Sequence, residues 1–354
     1  MKRRKDNGHL HKQLYGVSVV VPMYNEEQNV SSTLSRIAAA FRAIGGDWEI
    51  VAVDDGSTDR TALSVLSFAE QEPRVRLVSY FPNRGRGWAL RQGFAASTKE
   101  IIITADADLS YSEEYLLAMA QILQAHPEVD IVVASPYTKG GGVENVPFWR
   151  LFISKLGDKI LGFAMKRGLA TVTGMVRGYR RKVLEALELE AEGKEIHLEI
   201  LARALGMGYR VVEMPAVLKA RKLGKSKFKF TATAVTHILF SFHEKPVLLF
   251  GAVGLFLVLL SFGGAGYIWY LWQEGNLNPT RPLVTLTVLA FLAGLATLFF
   301  GFLGTQLVHL KREIYRIQKT AKETMMKLEE LAGGKEQLDF QVRVEKRKRE
   351  RERV

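Results

Sequence analysis

Short apolar runs alternate with longer segments of helical periodicity through the first part of the chain. Val17–Val21, Trp48–Val53 and Ile101–Thr104 are β-prone runs, and each leads through a polar turn into a helical pattern such as Glu113–Leu123. Strands of about five residues that alternate with helices of roughly ten to twenty are typical of a parallel doubly wound sheet. The pattern predicts an α/β fold whose strands end at one ligand-binding edge.

The pattern changes in the second part of the chain. Val247–Trp272 and Pro282–Val308 contain no charged residue, and each exceeds the roughly 20 residues that a helix needs to cross about 30 Å of hydrocarbon. The connection Gln273–Arg281 is nearly neutral, whereas Lys219–Lys229 and Lys311-Arg312 place cations at the outer ends. By the positive-inside rule we predict a transmembrane hairpin in the cell membrane, with both termini and the α/β domain in the cytoplasm.

A heptad pattern follows the second span. Apolar or small residues recur at alternating spacings of three and four, which is typical of a coiled-coil seam and makes a homo-oligomer a hypothesis. The alternative is a single amphipathic helix docked on the α/β domain. Gly333-Gly334 is predicted to end the pattern, and Arg343–Arg353 is strongly charged. The seam positions are Leu307, Leu310, Ile314, Ile317, Ala321, Thr324, Leu328 and Leu331.

Composition narrows the function classes. The net charge of +12 suits contact with anionic headgroups and diphosphates. Basic proteins also bind nucleic acid, but no motif for that function is present, so no nucleic-acid partner is expected. The chain has no cysteine, which excludes disulfides and thiol catalysis. The first strand is followed by Pro-Met-Tyr-Asn-Glu instead of Gly-x-Gly-x-x-Gly, which argues against a nucleotide-dependent oxidoreductase.

Two carboxylates stand directly after the third apolar run. Asp106 and Asp108 are two residues apart, and in an extended chain such residues point the same way. Mg²⁺ or Mn²⁺ held by one or two carboxylates keeps its other positions for water and phosphate oxygens, so the pair predicts a metal–diphosphate site. The alternative is that Asp108 caps the helix that follows.

Acidic and aromatic side chains also follow the first two runs. Glu26, Asp54 and Asp55 can accept hydrogen bonds from ribose hydroxyls or base N–H groups, and Tyr24 offers a stacking face. These positions predict a nucleoside site. Ser57 and Thr58 are better explained by turn and cap chemistry. A glycine-rich loop adds Arg84 and Arg86, which we expect to contact phosphate.

Four ordered motifs together resemble family 2 glycosyltransferases, which have the GT-A fold: Pro22–Glu26, Val53–Asp59, Asn83–Gly87 and Asp106–Leu109. Within the family, the chain is most similar to the polyprenyl-phosphate group, typified by dolichyl-phosphate mannose synthases. The likeness extends over residues 17 to about 230, through Gly140–Arg150, Thr173–Arg181 and Arg221–Lys227.

The resemblance implies a role for individual residues. Pro22, Tyr24, Glu26, Val53 and Asp55 are expected to line the nucleotide pocket. Asp106 and Asp108 are expected to bind the metal diphosphate. The phosphate-handling set is expected to comprise Arg150, Ser154 and Arg221, to which we add Lys155, Arg177 and Lys227.

The chain departs from the mannose synthase pattern at three positions. Ser110 stands where Gln is usual, Pro136 where Arg is usual and Thr171 where Asp is usual. Proline cannot replace the planar cation of arginine, and Lys139 or Arg177 is the candidate substitute. These departures leave the donor base and sugar open.

The predicted domains follow from these patterns: a basic tail (1–16), a GT-A domain (17–230), an interfacial helix (227–245), the hairpin (246–309) and a charged helical or coiled-coil tail (310–354). Residues 147–163 form a second basic and aromatic segment, which suits either the headgroup layer or a packed helix.

The predicted reaction is inverting transfer of a hexose from a GDP- or UDP-sugar to a polyprenyl phosphate. A phosphate monoester has a second pKa near 6, so it is largely dianionic at neutral pH and needs no base. Asp106, Asp108, Arg150 and Arg221 are the predicted catalytic residues. The alternatives are a hydroxyl acceptor, for which Glu199 is the predicted base, and a non-catalytic membrane scaffold. His197 is interpreted as surface or structural.

Overall fold

The computed structural model describes residues 14–144, 169–219, 246–276, 278 and 282–351. The described part begins with a seven-stranded sheet in the order β3-β2-β1-β4-β7-β5-β8, and a separate pair joins β6 and β9. The strands are β1 Leu14–Met23, β2 Gly46–Asp55, β3 Val75–Tyr80, β4 Ile101–Thr104, β5 Ile131–Ser135, β6 Gly142–Glu144, β7 Arg177–Arg180, β8 Val211–Pro215 and β9 Val217–Lys219.

Helices cover both faces of the sheet. The bounds are α1 Glu27–Ile44, α2 Thr61–Ala69, α3 Arg86–Ala96, α4 Glu113–Ala125, α5 Arg181–Ala186, α6 Ile196–Gly206, α7 Pro246–Gln273 and α8 Pro282–Arg351. Residues from α1, α2 and α4 pack on one face, and residues from α3, α5 and α6 pack on the other. The predicted α/β class and the three strand runs are confirmed.

Strand pairing departs from a purely parallel sheet at one position. β7 lies antiparallel between β4 and β5, with Thr104 opposite Arg177 and Val132 opposite Gly178. The other pairs of the large sheet are parallel. The carboxyl ends of β1, β2, β3 and β4 therefore meet at one edge, where the order of strands places the candidate site.

Two C-terminal helices are long and apolar enough to cross a membrane, Phe250–Gln273 and Pro282–Ala321. They approach closely at Gly254 and Gly294, because a methyl group on either glycine would lie about 3 Å from the backbone of the opposite helix. Small residues that let helix backbones approach are typical of membrane helix pairs. Phe262 and Phe291 add an edge-to-face ring contact at 6.2 Å.

The second apolar helix continues without a break into the charged tail. α8 runs 70 residues to Arg351. The helix therefore continues past Gly333-Gly334, where the heptad pattern was predicted to end. Tyr315 packs on the apolar core beside α6, as the docked-helix alternative expected. Leu310, Ile314 and Ile317 are exposed on the single chain, and a seam between copies stays a prediction.

Several predictions lie outside the described residues. They concern the tail before residue 14, the segment 147–163 and the interfacial helix 227–245. The predicted domain bounds that fall there stay predictions.

Candidate active site

The loop after β1 is locked to the loop after β2. Asn25 has a positive φ of 51°, and its side-chain oxygen accepts a hydrogen bond from the Thr58 N–H at 2.8 Å. The Asn25 N–H donates to Ser57 Oγ at 2.9 Å, and the Glu26 N–H donates to Thr61 Oγ1 at 2.8 Å. The turn role predicted for Ser57 and Thr58 is confirmed, but neither residue caps a helix, because α2 begins at Thr61 after Arg60 without a side-chain cap.

This interlock sets where the predicted nucleoside residues lie. Pro22 and Tyr24 are half-buried at the end of β1, and Glu26 is buried. Oε2 of Glu26 accepts a hydrogen bond from Asn29 at 2.8 Å. Val53 is fully buried in the core against α3, so it can present only backbone to a nucleotide.

Asp54 and Asp55 differ in how many protein donors they accept. Asp54 is 3% exposed and accepts two hydrogen bonds, from the Ser57 N–H at 3.1 Å and from Ser79 Oγ at 2.9 Å. A carboxylate has about four lone-pair sites, so Asp54 keeps acceptor capacity beyond these two bonds. Its contact with a nucleotide stays a proposal.

Asp55 is instead the organiser of the glycine-rich loop. Its carboxylate accepts from Tyr80 Oη at 3.0 Å, Asn83 Nδ2 at 2.8 Å, the Arg84 N–H at 2.9 Å and the Gly85 N–H at 3.0 Å. These donors fill its lone-pair sites. The expectation that Asp55 binds ribose or base directly is therefore corrected to a supporting role. Burial and the Asp55 charge together raise the pKa of Tyr80, which keeps this hydroxyl protonated as a donor.

The two candidate metal ligands lie on a turn, not on an extended strand. β4 ends at Thr104, and the Leu109 N–H donates to the Asp106 carbonyl at 3.1 Å, with φ of 46° at Leu109. The argument from extended alternation is therefore wrong for Asp106 and Asp108. The helix-cap alternative is also wrong, because α4 begins at Glu113 after Ser112.

The turn is held in place from several sides. The Ala105 N–H donates to Val20 O at 3.0 Å, Thr33 Oγ1 donates to Ala107 O at 2.6 Å, and the Lys219 N–H donates to Ser110 O at 2.9 Å. Asp106 and Asp108 are half-buried, while Ala105 and Ala107 are buried. The core anchors the backbone and leaves both carboxylates toward the edge of the sheet.

These carboxylates suit a hard divalent cation because they are oxygen ligands and because hydrogen bonds orient one of them. Oδ1 of Asp108 accepts from the N–H and the hydroxyl of Ser110 at 3.0 and 2.6 Å, and such outer hydrogen bonds orient a metal ligand. Ser110, at the position of the family's usual Gln, thus supports Asp108. Within the described ranges there is no cluster of three or more metal-ligating side chains. Two carboxylates with water and diphosphate oxygens are still a normal set for Mg²⁺ or Mn²⁺.

The two arginines of the glycine-rich loop are in different environments. Arg84 Nη2 lies 2.6 Å from Glu192 Oε1, and Arg84 Cζ lies 3.4 Å from the centroid of the Trp88 ring. The expectation that Arg84 contacts phosphate is therefore not supported. Arg86 is the first residue of α3 and is half-buried. The N–H groups of Gly87 and Trp88 at the start of α3 donate to the Glu192 carbonyl, so only the Arg86 side chain is considered for phosphate, and that contact stays a prediction.

Arg177 is a structural residue. It is 0% exposed, and its guanidinium donates to the carbonyls of Gly174, His197 and Val172 at 2.5 to 2.8 Å. Its predicted phosphate role is therefore wrong, because burial and these acceptors hold the group in the interior. The other expected phosphate residues, Arg150, Ser154, Lys155, Arg221 and Lys227, lie outside the described residues.

The remaining departures from the family pattern are also located. Pro136 is buried at the end of β5, and Thr171 Oγ1 lies 2.7 Å from Ser135 Oγ in the interior. The Thr171 N–H donates to Glu213 at 2.7 Å. Lys139 is exposed on the following turn. Its role as a substitute for the arginine that Pro136 replaces stays a prediction.

Glu199 and His197 on α6 have structural environments. The Glu199 carboxylate accepts from the N–H groups of Glu190 and Ala191 at 3.1 and 2.9 Å and pairs with Arg203 at 2.7 Å. These contacts argue against Glu199 as a base. His197 is buried, which supports the structural interpretation over a surface position. Burial and the charges of Arg177 and Arg86 lower its pKa well below the ordinary value.

Sequence reasoning assigned no role to Asn83 or Glu192. Asn83 holds Asp55 through its side chain, and the Glu192 carbonyl accepts from the Gly87 N–H at 2.7 Å. Asn83 opens a recognised glycine-rich motif, so its position two residues before Gly85 was a usable signal. Glu192 carries no local signal, because its partners are distant in sequence.

Comparisons with known proteins identify the family. The glycosyl transferase family 2 model matches residues 18–188. The chain is 31% identical over 287 residues to a dolichol-phosphate mannosyltransferase of Pyrococcus furiosus, covering 77% of this chain and 78% of that protein. The chain therefore belongs to glycosyltransferase family 2, and it is an enzyme of that class.

Two further similarities bear on the substrate and the fold. An undecaprenyl-phosphate 4-deoxy-4-formamido-L-arabinose transferase of Enterobacter sp. is 30% identical over 219 residues, with 61% of this chain and 64% of that protein covered. Glucosyl-3-phosphoglycerate synthase of Mycobacterium tuberculosis, solved with Mn²⁺ and UDP, superposes with a TM-score of 0.51 at 18% identity, covering 64% of this chain and 79% of that one. That likeness confirms the GT-A fold.

Proposed function

We propose that the protein is a membrane-anchored inverting glycosyltransferase that moves a hexose from a GDP- or UDP-sugar to a polyprenyl phosphate. The observation that carries the proposal is the anchored turn Asp106–Leu109, which brings two carboxylates to the nucleotide edge of a family 2 fold. The polyprenyl-phosphate acceptors in the names of the two relatives support the acceptor class. The different sugars in those names leave the transferred sugar open.

The donor site is proposed at the edge formed by β1, β2 and β4. Tyr24 would stack on the base, while Glu26 and Asp54 would accept hydrogen bonds from the nucleoside. The guanidinium of Arg86 would meet a phosphate. Asp106 and Asp108 would hold Mg²⁺ or Mn²⁺, which when bound neutralises charge on the diphosphate.

The acceptor is proposed to be a phosphate and not a hydroxyl. In the transfer, an acceptor phosphate oxygen forms a bond to the anomeric carbon as the bond to the donor diphosphate breaks, and the electron pair leaves on the diphosphate oxygen. A dianionic phosphate needs no proton removed, whereas a hydroxyl needs a base. Glu199 is engaged by the 190–191 backbone and Arg203, which supports the phosphate acceptor.

The two apolar helices support a location at a membrane. We propose that the hairpin of α7 and α8 holds the catalytic domain against the cytoplasmic leaflet, where a lipid phosphate and a water-soluble donor can meet. Arg150, Ser154, Lys155, Arg221 and Lys227 are proposed to bind the phosphates of acceptor and donor. A homo-oligomer through the α8 seam is a further part of this proposal.

Full-length protein in vesicles that contain a polyprenyl phosphate tests the proposal. A panel of GDP- and UDP-hexoses with Mn²⁺ or Mg²⁺ should yield one lipid-linked sugar. Its anomeric configuration, measured by NMR, should be inverted relative to the donor. Asp106→Asn and Asp108→Asn should abolish transfer, while Asp47→Asn, an exposed carboxylate paired with Lys99, should not. Transfer to a polyprenol in place of the phosphate, or retained configuration, would contradict the proposal.

A further inference from the structure

The part of α8 beyond its apolar stretch contacts the catalytic domain. Tyr315 packs on the core beside α6, and its ring centroid lies 5.6 Å from the Arg203 guanidinium. One turn further, the Lys319 ammonium lies 4.0 Å from the Tyr209 ring centroid and 3.4 Å from the Met207 carbonyl. Cations within about 6 Å of a ring centroid are attracted to the ring face. α8 is therefore docked on the end of α6.

Arg203 connects this docking contact to the segment 190–193, which we call the bracing loop. Its guanidinium pairs with Glu190 at 3.0 Å and with Glu199 at 2.7 Å. The Arg203 and Glu199 side chains are each 14% exposed, so solvent screens their pair less than it screens surface pairs, whereas the Glu190 side chain is 82% exposed. Glu199 in turn accepts from the backbone N–H groups of Glu190 and Ala191. The guanidinium thus lies between the Tyr315 ring and the carboxylates that fix the bracing loop.

The bracing loop packs directly on the start of α3. The Glu192 carbonyl accepts from the N–H groups of Gly87 and Trp88 at 2.7 and 3.2 Å. The Glu192 carboxylate also pairs with Arg84. A methyl group on Gly87 would overlap the carbonyl oxygen of Ala191, so the two backbones touch. A displacement of the bracing loop would therefore move the glycine-rich loop.

The glycine-rich loop lies directly on Asp55. The N–H groups of Arg84 and Gly85 donate to the Asp55 carboxylate, at the edge proposed for the nucleotide. A chain of direct contacts thus runs from α8 to the donor site.

We propose that Tyr315 is a positioning residue for the donor site, acting through Arg203 and the bracing loop. The inference rests on the proposed nucleotide-sugar donor. α8 is one continuous helix from the membrane hairpin to Tyr315, and Val308 and Tyr315 are separated by about 10 Å at the helical rise. The docked helix holds the glycine-rich loop in the arrangement that binds nucleotide, so the donor site is complete only when α8 is docked.

Nucleotide affinity of the full-length protein in nanodiscs tests this inference. Calorimetric titration with GDP and with UDP, each with Mn²⁺, first identifies the nucleotide that the wild type binds. Tyr315→Ala should raise its Kd by about three- to tenfold, because the ring contact with Arg203 is lost. The KM for polyprenyl phosphate should stay unchanged. Thr320→Ala, on the same helix at an exposed side chain outside the seam positions, is the matched control and should bind as wild type.

Two further variants separate positioning from folding. Tyr315→Phe keeps the ring and should bind nucleotide as wild type, whereas Tyr315→Leu keeps apolar packing and should resemble Tyr315→Ala. In an Arg203→Ala background, Tyr315→Ala should add little, since coupled residues are not additive. Unchanged nucleotide affinity in Tyr315→Leu, or fully additive effects, would overturn the inference. A wild type that binds neither nucleotide would instead overturn the proposed function.

Discussion

The Ser110 hydroxyl donates a hydrogen bond to Oδ1 of Asp108 across 2.6 Å, and the Ser110 N–H donates to the same oxygen at 3.0 Å. Both donors come from a residue two positions along the chain, so the turn orients its own carboxylate. A residue that replaces the family's usual Gln therefore orients Asp108, one of the two predicted metal ligands.

Substitution of Ser110 tests this support. Ser110→Ala removes the hydroxyl donor but keeps the backbone donor, so Mn²⁺ affinity should fall by about tenfold, at the low end of the effect of losing an outer hydrogen bond. Titration of Mn²⁺ by electron paramagnetic resonance in the presence of nucleotide measures the change. Ser112→Ala is the control, because Ser112 makes no side-chain hydrogen bond at the start of α4. Equal affinities in the two variants would contradict the role.

The local pattern predicted the strands that build the site but not their full pairing. Val17–Val21, Trp48–Val53 and Ile101–Thr104 are continuous apolar runs, and buried parallel strands have that composition. β7 has the sequence Arg-Gly-Tyr-Arg, which carries no strand signal. It pairs with Ile101–Thr104 across a large sequence separation. Such a pairing depends on tertiary contacts that a local window does not contain.

The site was predictable in its location more than in its individual roles. Charged residue types predict exposure, yet Arg177 is buried. Three backbone carbonyls accept hydrogen bonds from its guanidinium and make this burial possible. Asp55 was grouped with nucleotide ligands because of its position after a strand. Its partners come from Tyr80 and the loop 83–85, and only the folded chain brings them to it.

Loss of the Asp55 charge should destabilise the glycine-rich loop. Asp55→Asn places an amide group where four donors now converge, and at least one backbone N–H would lose its acceptor. We expect the free energy of unfolding to fall by about 1.5–3 kcal/mol, the range for hydrogen bonds to a charged group.

Chemical denaturation measures the stability change, and nucleotide affinity should fall with it. Asp47→Asn is the control, since Asp47 is exposed and pairs with Lys99 at the surface. It should change stability by less than about 0.5 kcal/mol. Equal stability of the Asp55 variant and the control would remove Asp55 as the organiser of the loop.

The buried His197 should make stability depend on pH in a defined window. Burial, with the charges of Arg177 and Arg86, lowers its pKa well below the ordinary value. Below about pH 6.5 the unfolded chain binds a proton at this residue and the folded chain does not. Stability therefore rises with pH in this window and falls as the pH drops below about 6.5.

His197→Gln removes this titration, so the slope of unfolding free energy between pH 5 and pH 7 should become flatter than in the wild type. His126→Gln is the control, because that side chain is exposed beside Glu128. Burial works to raise the pKa of Asp59, but hydrogen bonds from Thr61 outweigh it and hold the pKa low. The stability that Asp59 contributes is lost only as the pH falls to about 3.8 and below, where the unfolded chain binds a proton at this residue. An unchanged slope in His197→Gln would contradict the assignment.

The close crossing of α7 and α8 predicts a difference in stability between two glycine variants. A Cβ on Gly254 would lie 2.9 Å from the Gly294 carbonyl and 2.9 Å from the Leu298 N–H nitrogen, whereas a Cβ on Gly266 would meet nothing within 4 Å. Gly254→Ala and Gly266→Ala gain the same intrinsic helix propensity, so their difference isolates the crossing. Gly254→Ala should be less stable than Gly266→Ala by about 1–3 kcal/mol, the usual effect of overpacking. Thermal unfolding in a bilayer mimetic measures this difference, and equal stabilities would mean that the helices do not cross at Gly254.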